Sequence, residues 1–336
     1  LLFIVAWNLW VHYVQEEFID GIEWNLLEIK VPREVERTPL AMELILSNSI
    51  YQVSEKGLLE LYWMGAVPLW YSLEIASIEG SIHFFIRTPS RTKNLVEAQI
   101  YAQYPQAEVV EVPDYTNSVP HKLKNSGYDM WGCEFTLAKH ESIPLKTYID
   151  YGTDDSRVDE SKKIDPLTPT IEFLSTVKKD EQVWIQILAR GTKKTYKTPG
   201  KWFKTHGWVN EVQLHIDELL APYTNVRENG SREVRAPDFL RNQIESITKN
   251  INKLGFDCGI RCIYIAKEEA YDKTTYRALR TIFRQYASPD LNRLERTHST
   301  QYDYPFLDPT GNFLRSMKDR MLDQYRRRSY FSPHIH

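Results

Sequence analysis

The sequence predicts an α+β fold, in which a ferredoxin-like βαββαβ unit is followed by a second α/β unit with helical insertions. Between residues 24 and 115, strand-like alternation and helical spacing follow one another in the order βαββαβ, which is that of the split βαβ sandwich. After residue 128 a looser alternation recurs, interrupted by longer helical and polar segments. Right-handed crossovers would place both helices of the first unit on one face of its sheet.

Local signals justify each element of the first unit. Leu27, Ile29 and Val31 alternate along a strand, and Thr38-Pro39 opens a helix as an N-cap followed by proline. Ile78-Glu79-Gly80 separates two alternating runs and predicts a hairpin. The segment 53–67 is expected to be an insertion, either a loop or an irregular helix with exposed aromatic residues. The predicted elements are a strand over 25–31, a helix over 38–50, strands over 70–77 and 81–87, a helix over 92–104 and a strand over 107–112.

The second half is less regular. Its clearest element is a helix over 237–254, because apolar residues recur at helical spacing before Gly255, a typical C-cap. We expect further strands at 131–138, 145–150, 183–190 and 258–267, and further helices at 167–179, 203–220, 274–287 and about 311–329. With residues 117–127 as a linker, the predicted divisions are 1–15, 20–116, 128–290 and 291–336, the last being a C-terminal helix and basic tail.

The first fifteen residues carry no charged side chain. We interpret them as the C-terminal part of a truncated transmembrane helix, with Trp7, Trp10 and Tyr13 at the membrane interface and the acidic Glu16 and Glu17 beyond it. The alternative is an N-terminal helix buried in the protein core. A signal peptide is disfavoured, because no small-residue cleavage pattern follows.

Charge and cysteine content limit the functional classes. The net charge is −3, but residues 1–116 hold 7 basic and 16 acidic residues, and the remainder therefore carries a net charge of +6. This asymmetry is typical of a basic interaction face, or simply of two domains with different surfaces. Three cysteines, Cys133, Cys258 and Cys262, are too few for a disulfide framework, and we expect buried thiols in a reducing compartment.

No motif for catalysis, cofactor binding or metal binding was found. The string Thr198-Pro199-Gly200-Lys201 lacks the first glycine and the final Ser/Thr of a phosphate-binding loop, and GxGxxG, GxSxG and HExxH are absent. We therefore predict a protein that is not an enzyme and that has no cofactor or metal.

Three weaker binding signals remain. Lysines interleaved with aromatic residues, together with a terminal arginine run, are a weak signature of single-strand nucleic-acid binding; a solvated loop and helix is the alternative. The helical pair Arg280 and Arg284 could also contact phosphate or acidic lipid. Gln99 and Gln103 lie four residues apart on one helix and would contact a partner or face water. The predicted phosphate contacts are Lys193, Lys194, Lys197, Lys201, Lys204, Arg326, Arg327 and Arg328.

Several strings carry a family resemblance that covers roughly residues 20–330. They resemble an uncharacterised membrane-anchored module that occurs beside, or fused in front of, conjugative type IV secretion ATPases and coupling proteins. The motor domain is missing here, since neither Walker motif follows. Among these strings are Leu26-Leu-Glu-Ile-Lys-Val-Pro-Arg33, Ile82-His-Phe-Phe-Ile-Arg-Thr-Pro89, Val96-Glu-Ala-Gln-Ile-Tyr-Ala-Gln-Tyr-Pro105 and Ile260-Arg-Cys-Ile-Tyr-Ile-Ala266.

This resemblance implies a non-catalytic accessory module of a conjugation or type IV secretion machine. Its partner would be a cytoplasmic P-loop ATPase. Its location would be the bacterial inner membrane, reached through the N-terminal helix, with the globular part in the cytoplasm. The alternative function is a nucleic-acid-binding accessory protein that acts weakly on the transferred strand.

Overall fold

An antiparallel sheet of eight strands runs through the protein. The computed structural model describes residues 2–32, 38–53, 56–153, 165–197, 205–226, 232–251, 253–301 and 308–331. The strands of the described residues, four of which (β7 to β10) lie outside the large sheet, are β1 (Trp24–Lys30), β2 (Tyr71–Ile78), β3 (Ser81–Pro89), β4 (Glu108–Glu111), β5 (Tyr128–Leu137), β6 (Glu181–Gly191), β7 (Thr195–Lys197), β8 (Thr205–Gly207), β9 (Thr224–Val226), β10 (Arg232–Val234), β11 (Phe256–Lys267) and β12 (Leu294–Thr297). The α-helices of these residues are α1 (Leu2–Asp20), α2 (Pro39–Ile45), α3 (Leu58–Tyr62), α4 (Lys93–Gln103), α5 (Thr168–Ser175), α6 (Trp208–Leu220), α7 (Asp238–Ile251), α8 (Lys273–Leu279) and α9 (Asn312–Arg327).

The sheet consists of two halves with the same strand order. The order β12-β5-β11-β6-β2-β3-β1-β4 places the first strand of each half between its third and fourth strands. This is the ferredoxin-like arrangement, so the prediction for residues 24–115 is confirmed. The halves join through β2 and β6, which pair antiparallel with Leu73 opposite Ile187 and Ile75 opposite Ile185. The halves that the sequence separates at residues 117–127 are therefore hydrogen-bonded into one sheet.

The crossover helices cover one face of this sheet. In the first half, Ile45 precedes a π-helical turn (46–50) and packs with Val96 and Ile100 of α4 against strand residues such as Leu27. In the second half, Leu174 and Leu279 pack against alternate residues of β5, β6 and β11. Both helices of the first unit thus lie on one face, as right-handed crossovers require.

The opposite face is covered by α9 and by the segment that follows β4. Met321, Leu322 and Tyr325 of α9 are buried against Trp184 and other residues on this face. The approach is close: a Cβ added at Gly259 would lie 2.5 Å from the ring of Tyr330. An isolated four-stranded unit would leave this face open, and here the C-terminal helix covers it across both halves.

The helical insertion between β6 and β11 has a small core of its own. Val212 and Ile216 of α6 pack against Ile247 of α7 and against Ile143, which follows β5. The predicted strand at 145–150 is wrong. Residues 144–147 have no regular structure and a turn follows, because the Asp150 carboxylate accepts hydrogen bonds from the backbone N–H and hydroxyl of Thr147 at 2.7 and 2.9 Å. The predicted helix over 274–287 ends at Leu279 and continues as turns and a 3₁₀ segment.

The prediction of a transmembrane helix at the N-terminus is corrected. In the described ranges, no helix combines the length and apolar character that crossing a bilayer requires. Helix α1 runs on past the uncharged residues into Glu16, Glu17 and Asp20. Its second half packs on the protein, where Val14 is buried and Phe18 and Ile19 contact an apolar cluster. The predicted membrane attachment and inner-membrane location therefore lose their support.

Candidate interaction surface

The first half of α1 and the helix α3 expose a continuous set of large apolar side chains. Leu2 and Phe3 are 86% and 79% exposed, and Leu58 and Leu59 of α3 are 74% and 76% exposed. We call this set the α1/α3 surface. Its thirteen members are Leu2, Phe3, Ile4, Val5, Trp7, Leu9, Trp10, Tyr13, Leu58, Leu59, Tyr62, Trp63 and Met64.

Direct contacts hold the two helices together. The indole Nε1 of Trp10 donates a hydrogen bond to the backbone oxygen of Tyr62 at 3.1 Å. The Trp7 and Tyr62 rings lie 5.8 Å apart between centroids, and the Trp10 and Trp63 rings lie 5.6 Å apart. These are distances at which aromatic pairs attract one another beyond simple burial. Trp7 and Trp10, which the sequence marked as part of an interface with lipid, therefore contact α3 and the residue that follows it.

A glycine allows α3 to sit against α1. Gly65 has φ +64°, and a Cβ built on it would lie 2.0 Å from the backbone oxygen of Val14. Only glycine fits such a close approach of two backbones at positive φ. At the other end of α3, the carboxylate of Glu60 accepts a hydrogen bond from the backbone N–H of Gly57 at 2.8 Å. The α1/α3 surface is therefore a positioned part of the structure.

The area of the surface is that of a protein interface. Its thirteen side chains are exposed by roughly 60% on average. With about 150–250 Å² for a large aromatic side chain and somewhat less for an aliphatic one, the exposed apolar area is on the order of 1,000 Å². The largest apolar patch on a typical monomer covers about 300–600 Å², and a standard interface buries about 800 Å² on each partner.

The C-terminal arginines lie outside the α1/α3 surface, and most of them donate hydrogen bonds inside the protein. Arg328 is fully buried, and its Nε and Nη2 donate to the two carboxylate oxygens of Glu74 at 2.9 and 3.0 Å. It also donates to both carboxylate oxygens of Asp114. Arg326 donates to the backbone oxygens of residues 116, 119 and 120, and Arg327 pairs with Asp323 at the surface. The predicted phosphate contacts at Arg326 and Arg328 are thus internal contacts in this structure.

Tyrosine and glutamine side chains complete a buried polar network around Glu74. The Tyr115 hydroxyl donates to Glu74 at 2.8 Å and lies 2.8 Å from the Tyr325 hydroxyl. Gln186 donates to Glu74 at 3.2 Å and to the backbone oxygen of Tyr325 at 3.1 Å. Burial alone would raise the pKa of Glu74, but the charge and hydrogen bonds of Arg328 hold it below its usual value of 4.5.

The predicted lysine contacts are scattered. Lys194 pairs with Glu141 at 2.7 Å, Lys197 is exposed on β7, and Lys193 makes contacts of its own. Lys201 and Lys204 lie outside the described residues. The predicted partner contacts Gln99 and Gln103 are half-buried on α4, and Gln99 accepts a hydrogen bond from Asn48 at 3.4 Å.

The cysteines, the potential metal ligands and a small cleft give little indication of a catalytic or ligand-binding site among the described residues. Cys133 and Cys262 are buried as predicted, with burial raising the pKa of Cys133 to about 12, but Cys258 is exposed. Among the described residues, no group of three or more His, Cys, Asp or Glu side chains has the geometry to hold a metal ion. A polar cleft of about 180 Å³ is smaller than typical ligand pockets. It is lined by Lys146, Asp150, Asn242, Gln243, Ser246, Ser288, Asp290 and Leu291.

A histidine pair joins the helical insertion to the sheet. The rings of His140, which follows β5, and His215 of α6 stack with centroids 4.0 Å apart. Glu211 of α6 lies 2.6 Å from His206 and 4.0 Å from His140. Burial, followed by the charge of His140, lowers the pKa of His215 below its usual 6.5.

Comparisons with known proteins place the chain in a family but add no function. A search of curated proteins and a search of solved structures each found no match. Nothing in them supports type IV secretion or conjugation, and nothing in them tests the predicted ATPase partner. One family model, described as a domain of unknown function (DUF8128), matches residues 12–333. The chain therefore belongs to the DUF8128 family.

Proposed function

We propose that this protein is a non-catalytic docking protein, which presents the α1/α3 surface to an apolar groove on a partner protein. The observation that carries the proposal is an apolar area on the order of 1,000 Å² on two helices fixed to the body. The ionic groups of Arg328, Glu74 and Asp114 are consistent with this proposal, because they pair with one another rather than with a ligand.

The exposure pattern along α1 indicates the shape of the partner. Four consecutive residues, from Leu2 to Val5, are exposed by 48% or more, and together they cover all sides of a helical turn. A helix that is apolar all round is stable only when it is surrounded. A flat partner would leave one side of this turn in water, so a groove that encloses the helix fits best, as in other helix-in-groove complexes.

The charge pattern indicates the chemistry of the groove. Residues 1–15 contain no Asp, Glu, Lys or Arg, so the exposed part of α1 offers a partner no permanently charged side chain. The groove is therefore lined by apolar side chains. The residues directly after α3 add a rim that includes Trp63 and Met64, both 65% exposed. Methionine and aromatic residues are typical of such interfaces.

Site-specific crosslinking in cells tests the proposal. A photoreactive phenylalanine analogue replaces Phe3 in one variant and the exposed Tyr101 of α4 in a matched control. We expect one protein adduct at Phe3 that is absent from the control. Its partner is then purified and titrated calorimetrically with the wild-type chain and with Phe3→Asp. Loss of an interface anchor costs about 2 kcal/mol or more, which corresponds to binding about 30-fold weaker.

Three outcomes would contradict the proposal. An adduct with a second copy of this chain would show that the α1/α3 surface mediates self-association and does not bind a partner protein. Flotation with phospholipid vesicles that is abolished by Phe3→Asp would show that the surface binds lipid. Equal adducts at Phe3 and Tyr101 would remove any preference for the α1/α3 surface. Phe3→Asp should leave the free energy of unfolding unchanged within about 0.5 kcal/mol, since the side chain is already in water.

A further inference from the structure

Four arginines form a basic row along α8 and the neighbouring edge strand. Arg277 lies on α8, and Arg280 and Arg284 lie on the turns and the 3₁₀ segment that follow it. Arg296 lies on β12 opposite Phe135 of β5. We call these four residues the arginine row.

Packing brings the strand arginine next to the helical ones. Leu294, two residues before Arg296 on the same face of β12, packs in the cluster that contains Leu279 and Ile282 of α8 and its turns. Arg280 and Arg296 are also both near enough to the Cys133 thiol to act on it electrostatically. Arg280 and Arg296 therefore lie near one another, and Arg277 and Arg284 lie within four residues of Arg280 in the chain.

Among the described residues, no carboxylate pairs with the arginine row. Within the part of the chain that the structure describes, none of the four arginines has an acidic oxygen within 4.0 Å. Their neighbours differ: Arg293 pairs with Glu295, and Lys178 pairs with Asp272 at 3.7 Å. An uncompensated row of like charges on a folded surface raises the local concentration of anions.

We propose that the arginine row binds the phosphodiester backbone of a nucleic acid. Three arginines between residues 277 and 284 and a fourth on the strand β12 provide several positive charges, and neutralising phosphate charges supplies most of the affinity of sequence-independent nucleic-acid binding. Arginine suits phosphate because its planar guanidinium donates two parallel hydrogen bonds. The inference is independent of the docking function and concerns a different surface.

A membrane or a single phosphate fits this surface less well. Lipid binding by a basic helix needs apolar side chains beside the charges. Among the described residues from 255 to 312, no large apolar side chain is exposed. A lone phosphate would engage one or two arginines and leave the others of the row without a ligand.

The contacts predicted from sequence do not supply an equivalent row. Lys194 is paired with Glu141, and Arg326 and Arg328 donate inside the protein. The sequence did mark Arg280 and Arg284 as a helical pair, but Arg277 and Arg296 join them only in the folded structure. We therefore place the nucleic-acid contact on α8, the turns after it and β12, rather than on the residues predicted from the sequence.

Fluorescence anisotropy with labelled oligonucleotides tests the inference on the full chain. A 20-nucleotide single strand and a 20-base-pair duplex are titrated between 50 and 200 mM salt. Four phosphate contacts give a slope of log K against log salt of about −3.6 for duplex and about −2.8 for single strand. These slopes correspond to a loss of about 150-fold and about 50-fold, respectively, over this range. The two arms show which form the row prefers.

Single substitutions then assign the contacts. Arg277→Gln, Arg284→Gln and Arg296→Gln should each make the duplex slope shallower by about 0.9 and weaken binding at 50 mM salt. Arg320→Gln is the matched control, because this exposed arginine of α9 lies on the other face of the sheet. Thermal unfolding of each variant checks that the fold is retained.

The inference is overturned by any of four results. These are no binding of either oligonucleotide at 50 mM salt, an unchanged slope in a variant that combines Arg277→Gln, Arg284→Gln and Arg296→Gln, loss of binding on substitution of Lys194 and Lys197 instead, or equal weakening by Arg320→Gln. Binding to phosphatidylglycerol vesicles that exceeds oligonucleotide binding at equal phosphate concentration would assign the row to lipid and also contradict it.

Discussion

Replacing Arg328 by methionine should strongly destabilise the protein. Arg328 and Glu74 are both almost completely buried, with exposed fractions of 0% and 2%. The substitution keeps most of the side-chain volume but removes the guanidinium, so the charges of Glu74 and Asp114 lose their partner in the protein interior. Breaking one side of a buried ion pair costs about 3–5 kcal/mol. This is a large fraction of a typical unfolding free energy of about 5–15 kcal/mol.

The double variant separates the ion pair from its surroundings. Glu74→Met alone leaves the Arg328 guanidinium in a buried site with only Asp114 as a charged partner, and it should also be strongly destabilising. Combining the two substitutions removes both charges, and the loss should be clearly smaller than the sum of the single losses. Arg327→Met, which removes the neighbouring surface pair with Asp323, should cost less than about 0.5 kcal/mol and is the matched control.

Urea unfolding followed by tryptophan fluorescence measures these differences. Trp184 is fully buried, with its ring 5.3 Å from that of Tyr325 beside the network. A loss below about 1 kcal/mol for Arg328→Met, or single losses that simply add in the double variant, would refute the reasoning. The pKa values of Glu74 and Asp114 are lowered in the folded protein, so their stabilisation is present above their unfolded values of 4.5 and 3.8 and is lost as pH falls through the folded values. Arg328→Met should flatten this acid dependence.

Three further predictions follow from single contacts. Gly259→Ala should lower the unfolding free energy by about 1–3 kcal/mol, because the new methyl group meets the Tyr330 ring. The same substitution should lower the unfolding free energy by less in a Tyr330→Ala background, and equal losses in the two backgrounds would contradict this. Because the pKa of His215 is lowered on folding, stability should fall as pH drops below about 6.5, and urea midpoints of His215→Gln should be less dependent on pH in that range; an unchanged dependence would show that other groups are responsible. Leu174→Ala should lower the unfolding free energy by about 2–5 kcal/mol, since Leu174 is fully buried under the sheet, and a value below about 1 kcal/mol in urea titration would argue against that packing.

The first unit could be predicted because its signals are local. Thr38-Pro39 begins α2, Glu79-Gly80 turns the hairpin at positive φ, and Pro105 follows α4. Pairing of the two halves through β2 and β6 could not be predicted, because alternation defines the faces of a strand but not which edge it joins. The predicted transmembrane helix failed for a related reason. The apolar run is real, but the contacts of Trp10 with α3 depend on the tertiary structure.

The candidate sites show the same limit. The run Arg326-Arg327-Arg328 looked like a basic tail, but Arg328 adopts φ +51° at the end of α9 and reaches Glu74, 254 residues away in the chain. The exposed residues of α3 fall in the segment that was expected to carry exposed aromatic residues. That these residues form one surface with α1 could be seen only in the folded structure.

The heat capacity of partner binding tests the central claim most directly. Burial of about 1,000 Å² of apolar surface on this chain contributes about −0.45 kcal/mol/K to the heat capacity change of binding. The partner identified by crosslinking is purified and titrated calorimetrically at several temperatures. The heat capacity change should be at least this negative for the wild-type chain and clearly smaller in magnitude for Phe3→Asp. A heat capacity change near zero, together with an affinity that falls steeply with salt, would contradict an apolar docking function for the α1/α3 surface.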